Sequence, residues 1–124
     1  MQGETLSPLV EELFSRLEGA GSLAAGAGTV LVGEAGRHGD EAWVRLHLRV
    51  HADTVIEARF QVLGCPHTLA TASWLAMRLT GRERAVAQPG SPQAWAQALQ
   101  VPVEKLGRLL LIEDALHAAL QQWP

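Results

Sequence analysis

The chain has 124 residues, a length that normally forms one domain. Hydrophobic residues make up 48% and charged residues 19%, which excludes intrinsically disordered and fibrous proteins. The net charge of −3 argues against a nucleic-acid partner, because proteins that bind a phosphate backbone normally carry a basic surplus. We therefore expect a single domain over residues 1–124.

Cysteine content and hydropathy indicate in which cellular compartment the protein is located. One cysteine, Cys65, excludes an intramolecular disulfide and favours a reducing environment. The longest uncharged run, Gly19 to Gly33, is short and interrupted by glycines, so it is not expected to span a membrane. The N-terminal region is acidic, unlike a signal peptide. The sequence predicts a cytoplasmic protein with no membrane contact.

The first predicted elements are a helix and a short strand. The pair Ser7-Pro8 can cap and begin a helix in which leucines recur every four residues. The glycine-rich segment Gly19–Gly28 predicts a flexible connection. A short strand is then predicted at Thr29–Val32.

The clearest pattern is a period of two in the segments Ala42–Val50 and Val55–Leu63, which predicts an antiparallel hairpin. The side chains predicted to face the helices are Val44, Leu46, Leu48, Ile56, Ala58, Phe60 and Val62. On the opposite face of the hairpin, Arg and Glu side chains are expected to pair across the two strands, and His47 and His51 are expected to face solvent.

Helical spacing follows the hairpin. Helices are predicted from Pro66 to Gly81, from Ser91-Pro92 through Leu99, and from Pro102 to about Gln122. The order of helix, three strands and further helices predicts an α+β fold, with a small three-stranded antiparallel sheet packed against helices.

Candidate ligands occur in two loops, 36–40 before the second strand and 64–67 after the third. In an antiparallel hairpin these loops lie at the same end, so His38, Asp40 and Cys65 are expected to converge and to offer nitrogen, oxygen and sulfur ligands. Cys65 also begins a helix, where the partial positive charge favours a thiolate.

Each of these residues also has a purely structural interpretation. Cys65 can be a small buried apolar side chain, His38 a loop histidine bonded to backbone, and Asp40 a turn or capping residue. His67 either reaches the Cys65 site or lies on the helix surface. A histidine, an aspartate and a cysteine can also mimic a hydrolytic triad, but no substrate pocket or oxyanion device is recognisable, so an enzyme is not expected.

Several segments together resemble one known family. The stretch from Gly39-Asp40 through the hairpin to Gly64-Cys65, with the string ARFQVLGCPHTLATAS, resembles the IscU/NifU N-terminal scaffold family. The segment 101–106 and Glu113-Asp114-Ala115 resemble the C-terminal helix of that family. The resemblance extends from about residue 9 to residue 120. It implies an IscU/NifU-like fold and a role in iron–sulfur cluster assembly.

The resemblance also implies a ligand set, which this chain keeps in part. His38 stands where the family has its first cysteine, Asp40 is its aspartate, and Cys65 is its second cysteine. Arg108, three residues after Lys105, stands where the family has its third cysteine. Cofactor or metal binding is therefore expected at His38, Asp40 and Cys65. Arg108 and Lys105 should lie beside them, and the Arg108 guanidinium, expected near Asp40 or Cys65, would oppose a bound cation.

Three functional interpretations remain open. The first is an atypical iron–sulfur assembly scaffold or sulfur-accepting protein, with a transient cluster. The second is a module that holds a single zinc or iron ion through His38, Asp40 and Cys65, and the third is a diverged interaction or regulatory protein without metal. A cysteine desulfurase and acceptor apoproteins are the partners implied by the resemblance. The family's chaperone-binding motif keeps only a proline and a lysine in Val101–Lys105, so a dedicated chaperone is not expected.

Overall fold

The computed structural model describes residues 6–24, 26–37, 42–87 and 89–124. A 3₁₀ turn at Arg84–Val86 precedes the third helix, and another at Val103–Lys105 precedes the fourth. No helix in the described ranges is long and apolar enough to cross a membrane. The helices and strands in chain order are α1 (Pro8–Arg16), β1 (Thr29–Gly36), β2 (Trp43–His51), β3 (Thr54–Leu63), α2 (Pro66–Leu79), α3 (Pro92–Leu99) and α4 (Leu106–Leu120).

The predicted α+β architecture is confirmed. The three strands form one antiparallel sheet in the order β1-β2-β3. Helix α4 packs on β1 and β2, α2 packs on β3, and α1 packs on α2. Leu31, Leu46 and Phe60, one from each strand, are buried in the core that the sheet and helices share.

Strand β1 is longer than predicted, because it continues from Val32 to Gly36. The glycine at position 33, directly after the predicted strand, is required by packing. A Cβ atom on Gly33 would lie 1.9 Å from the carbonyl oxygen of Ala115 and 2.9 Å from the Cβ of Ala119. Glycine therefore lets α4 cross β1 at backbone contact distance.

A β-bulge corrects one predicted core position, Ile56. Val55 pairs with Val50 and Glu57 pairs with Arg49, so Ile56 is an extra residue without an opposite partner. The bulge turns Val55 into the core, where it is fully buried, and leaves Ile56 44% exposed. The remaining predicted core side chains of the hairpin are buried or packed against the core.

The face of the sheet opposite the helices, called here the outer face, is less exposed to solvent than predicted. His51 is exposed, but His47 is only 7% exposed because it lies on the central strand between two others. Its Nε2 lies 3.1 Å from Oε1 of Gln61. The expected cross-strand pair of the hairpin joins Arg49 to Glu57 at 3.1 Å, which confirms the charge pairing on this face. A second pair, which was not predicted, joins Arg45 to Glu34 of β1 at 3.2 Å.

Arg49 holds the connection between α1 and β1 against the outer face. Its guanidinium donates to the carbonyl oxygens of Ala24 at 2.6 Å and Ala27 at 3.0 Å, and it pairs with Glu57 at 3.1 Å. Ala24 and Ala27 of the glycine-rich connection therefore lie against the face of the sheet opposite the helices.

Helix starts follow the predicted caps, with one exception. Ser7 accepts a hydrogen bond from the Val10 amide at the start of α1, and Ser91 accepts one from the Ala94 amide at the start of α3. The last helix does not begin at Pro102, which has extended backbone geometry. A 3₁₀ turn follows it, and α4 starts only at residue 106.

Candidate functional site

The ends of all three strands meet at the predicted site. Trp43, the first residue of β2, pairs with Gly36 at the end of β1 and with Leu63 at the end of β3. Gly64 and Cys65, which connect β3 to α2, therefore lie at the same end of the sheet as the β1–β2 loop. His38 and Asp40 belong to that loop but lie outside the described residues, so their convergence with Cys65 stays a prediction.

Cys65 is the N-cap residue of α2, with an extended backbone. Its thiol is free and partly exposed, and its Sγ lies 3.5 Å from the hydroxyl oxygen of Thr68. Thr68 itself is fully buried. A Cβ atom on Gly64 would lie 3.1 Å from that hydroxyl oxygen, so the glycine before the cysteine keeps space for the threonine.

The surroundings of Cys65 favour its thiolate. Burial alone raises the pKa of the thiol, but several groups act in the opposite direction and prevail. In decreasing order these are the Thr68 hydroxyl, the backbone N–H groups of Thr68 and His67 at the start of α2, and the positive charge of Lys105. The net effect is a pKa below the ordinary value for cysteine, so a larger fraction of the thiol is ionised at neutral pH.

Lys105 is the predicted cation that the structure brings into electrostatic contact with Cys65. It ends the 3₁₀ turn before α4 and is partly buried. Arg108 follows in the first turn of α4 and is also partly buried. The expected approach of its guanidinium to Asp40 or Cys65 stays a prediction, and Asp40 lies outside the described ranges.

Two residues beside Cys65 differ from the sequence-based interpretation. His67 does not lie on the helix surface, because its side chain is fully buried. Thr68 is part of the site and was not among the predicted residues. Its position three residues after an N-cap is where a helix-capping partner normally occurs, and that spacing is the signal that could have identified it.

The chemistry of the donor set does not fit a tightly held cluster. An iron–sulfur cluster is normally held by four ligands, mostly thiolates, and this chain has a single cysteine. Within the described ranges, no group of three or more His, Cys, Asp or Glu residues is arranged to hold a metal ion. The positive charge of Lys105 also opposes a cation at Cys65. The described residues thus supply one sulfur ligand and an unfavourable charge.

Comparison with known proteins identifies the family of this chain. Residues 8–124 match the family described as NifU-like N terminal domain. The match covers most of the chain, and the protein therefore belongs to that family, an IscU/NifU-like family of iron–sulfur cluster assembly scaffolds.

Individual relatives agree with this assignment. The chain is 28% identical over 117 residues to the iron–sulfur cluster assembly protein IscU of Plasmodium falciparum, a match that covers 92% of this chain and 70% of the relative. A putative scaffold protein for the SUF system from Fervidobacterium islandicum AW-1 shares the fold, with a TM-score of 0.73 at 14% identity and coverage of 92% and 95% of the two chains. A NifU-like N-terminal protein from Brucella abortus gives a TM-score of 0.67 at 19% identity, with coverage of 94% and 92%.

Proposed function

We propose that this protein accepts sulfur on Cys65 during iron–sulfur cluster assembly, as an atypical member of its family with a reduced ligand set. The observation that carries the proposal is the environment of the thiol. Cys65 is partly exposed, and Thr68, the start of α2 and Lys105 together lower its pKa. An accessible thiolate is the species that attacks sulfur.

The proposed transfer is an exchange between sulfur atoms. The Cys65 thiolate attacks the outer sulfur of a persulfide on a donor protein, for which a cysteine desulfurase is the expected class. The sulfur–sulfur bond of the donor breaks as a new one forms on Cys65, and the donor departs as a thiolate with the electron pair. No external oxidant or reductant is needed.

Neighbouring groups have distinct roles in this exchange. The Thr68 hydroxyl, 3.5 Å from the sulfur, donates to the thiolate and orients it before attack. Lys105 stabilises negative charge both on the thiolate and on the anionic persulfide that results. The sulfur then passes to acceptor apoproteins. Because the protein is itself the sulfur carrier, this function is that of an assembly protein and not of an enzyme.

Iron enters the proposal only as cargo. Where a metal ion or a nascent cluster is held, Cys65, His38 and Asp40 are the proposed ligands, and the charge of Lys105 makes that binding transient. A module that retains a zinc or iron ion would need these three residues to outweigh that charge. A protein without assembly activity would need no reactive thiol, and the lowered pKa of Cys65 therefore favours sulfur acceptance.

A mass measurement tests the sulfur transfer. The protein is incubated with a cysteine desulfurase and cysteine, then analysed intact by mass spectrometry. Because Cys65 is the chain's only cysteine, we expect a reductant-sensitive gain of sulfur on the parent and none on Cys65→Ser. A parent that gains no sulfur, while an ordinary alkylating reagent modifies its thiol, would contradict the proposal.

A second experiment tests the reduced ligand set. The parent and Arg108→Cys are reconstituted anaerobically with iron and sulfide and then desalted. We expect the parent to retain little iron and the variant to retain more, because a thiolate replaces a cation that opposes metal. Tight stoichiometric retention by the parent, without a gain in the variant, would show that the charge argument is wrong.

A further inference from the structure

A groove lies between α3 and the 3₁₀ turn that precedes α4. It has a volume of about 380 Å³, and its lining includes the apolar side chains of Ala96, Val103 and Leu106 and the amides of Gln93 and Gln97. Among the described residues, no charged side chain lines this groove. A concave site of this size and lining accepts an apolar group, and the glutamine amides can bond to the polar atoms beside it.

The two walls of the groove are held by main-chain hydrogen bonds. At the end of α3, the Val101 amide donates to the carbonyl oxygen of Ala96 at 2.9 Å. In the 3₁₀ turn, the Lys105 amide donates to the carbonyl oxygen of Pro102 at 2.9 Å. The groove is therefore formed before any partner binds, so binding requires little ordering of the main chain.

Val103 makes the groove an exposed apolar surface. Its side chain is 80% exposed, more than that of any other large apolar residue in the described ranges. Ala96 and Leu106, which line the same groove, are also partly exposed. Together these side chains form one apolar patch with a polar rim, which is typical of an interaction surface.

The groove is continuous with the surroundings of the thiol. Val103 begins the 3₁₀ turn and Lys105 ends it, and the charge of Lys105 acts on Cys65. The turn thus contributes one residue to the groove and another to the sulfur site. A protein seated in the groove therefore also lies next to Cys65.

We infer that this groove holds an uncharged, apolar segment of the protein that donates sulfur to Cys65, an inference that rests on the proposed function. The donor must bring its persulfide to a thiol that is only partly exposed. Docking beside the thiol raises the effective concentration of the persulfide at the sulfur atom. A charged segment is disfavoured, because it would lose water without gaining a charged partner in the groove.

The kinetics of sulfur loading test the docking. The parent and Val103→Gln are incubated with a cysteine desulfurase and cysteine, and the initial rate of sulfur gain is followed by intact mass at increasing protein concentration. Val103→Gln should need about a tenfold higher concentration for the half-maximal rate, with the maximal rate unchanged, because an apolar contact is lost from binding alone.

Val86→Gln is the matched control. Val86 is 56% exposed and ends the other 3₁₀ turn. That turn lies at the opposite end of the sheet from Cys65, since the Arg84 amide donates to the carbonyl oxygen of Asp53 in the turn between β2 and β3. The control should keep the half-maximal concentration of the parent.

A second variant fills the groove, and a second donor bypasses it. Ala96→Leu places a larger side chain in the space and should raise the half-maximal concentration as Val103→Gln does. Inorganic polysulfide needs no docking, because the Cys65 thiolate attacks one of its sulfur atoms and the shortened polysulfide leaves with the electron pair. It should load the parent and all three variants at the same rate.

The outcomes separate the groove from the sulfur chemistry. Folded Val103→Gln and Ala96→Leu proteins with the half-maximal concentration of the parent would overturn the inference, and so would an equal rise in Val86→Gln. Slower loading of the two groove variants by polysulfide would also overturn it, since the groove would then act on the thiol and not on a partner. A parent that gains no sulfur from the desulfurase contradicts the proposed function, and the inference falls with it.

Discussion

The two ends of α4 serve different purposes. At its beginning, Lys105 precedes the helix and places a positive charge beside the partly exposed thiol of Cys65. Towards its end, Ala115 and Ala119 are fully buried and pack on the backbone of Gly33. The packed end fixes the position of the helix on the sheet, and the other end places its positive charge beside the thiol.

The segment that follows α4 strengthens the packed end. Trp123 donates from Nε1 to the carbonyl oxygen of Ala52 at 3.2 Å, in the turn between β2 and β3. Arg84 donates to the carbonyl oxygen of Trp123 at 3.0 Å and lies 5.4 Å from the centre of its ring. Substitutions near this end should therefore change stability, and substitutions near Cys65 should change reactivity with little effect on stability.

The largest expected effect is on stability, from Gly33→Ala. The added methyl group would overlap the Ala115 carbonyl, 1.9 Å away, so either α4 or β1 must shift. We expect a loss of about 3 kcal/mol or more in the free energy of unfolding, measured with denaturant. The matched control is Gly107→Ala in the first turn of α4, where a Cβ has no neighbour within 4 Å. That change should be neutral or stabilise by up to about 1 kcal/mol. Equal effects of the two substitutions would remove the distinction between the ends of α4.

Much of the hairpin was predictable, because alternation along β2 and most of β3 assigns each side chain to a face. The prediction failed at Ile56, since a bulge shifts the register without altering composition. It also stopped β1 too early, because Gly33 alone does not distinguish a turn from a close helix crossing. The second failure arises from a contact between elements distant in sequence, whereas the bulge is a local irregularity beside the β2–β3 turn.

The candidate site was predictable only in outline. Hairpin geometry and the resemblance to a family both indicated Cys65 at the start of a helix, and the structure places it there. Thr68 was not predicted because a threonine three residues after an N-cap, although in a normal place for a capping partner, does not by itself indicate a contact with the thiol. Its hydroxyl reaches the sulfur because Thr68 lies three residues after Cys65, in the first turn of α2.

A smaller effect, on reactivity, is expected from Thr68→Val. The valine keeps the buried volume and removes the hydroxyl, which is the strongest of the groups that lower the pKa of Cys65. The pH midpoint of alkylation should rise, and the rate at neutral pH should fall about tenfold. Thr68→Ser, which retains the hydroxyl, should stay close to the parent. If the serine and valine variants have the same pH profile, Thr68 acts through packing and not through its hydrogen bond.

The smallest effect should come from Lys105→Gln. The charge of Lys105 is the weakest of the causes that lower the pKa of Cys65, so its loss should raise the alkylation midpoint less than Thr68→Val does. At neutral pH we expect about a twofold lower rate, in keeping with a partly exposed charge.

The lowered pKa of Cys65 also determines how the free energy of unfolding depends on pH. A thiol whose pKa is lower in the folded than in the unfolded state contributes stability above the unfolded pKa, and loses it as pH falls through the folded one. Lys105→Gln should therefore reduce stability slightly at alkaline pH and leave it unchanged at acidic pH. Salt provides an internal control, because screening should raise the midpoint of the parent but not that of the variant. If salt moves both midpoints equally, or the two proteins share one midpoint at low salt, the charged end of α4 does not act on Cys65.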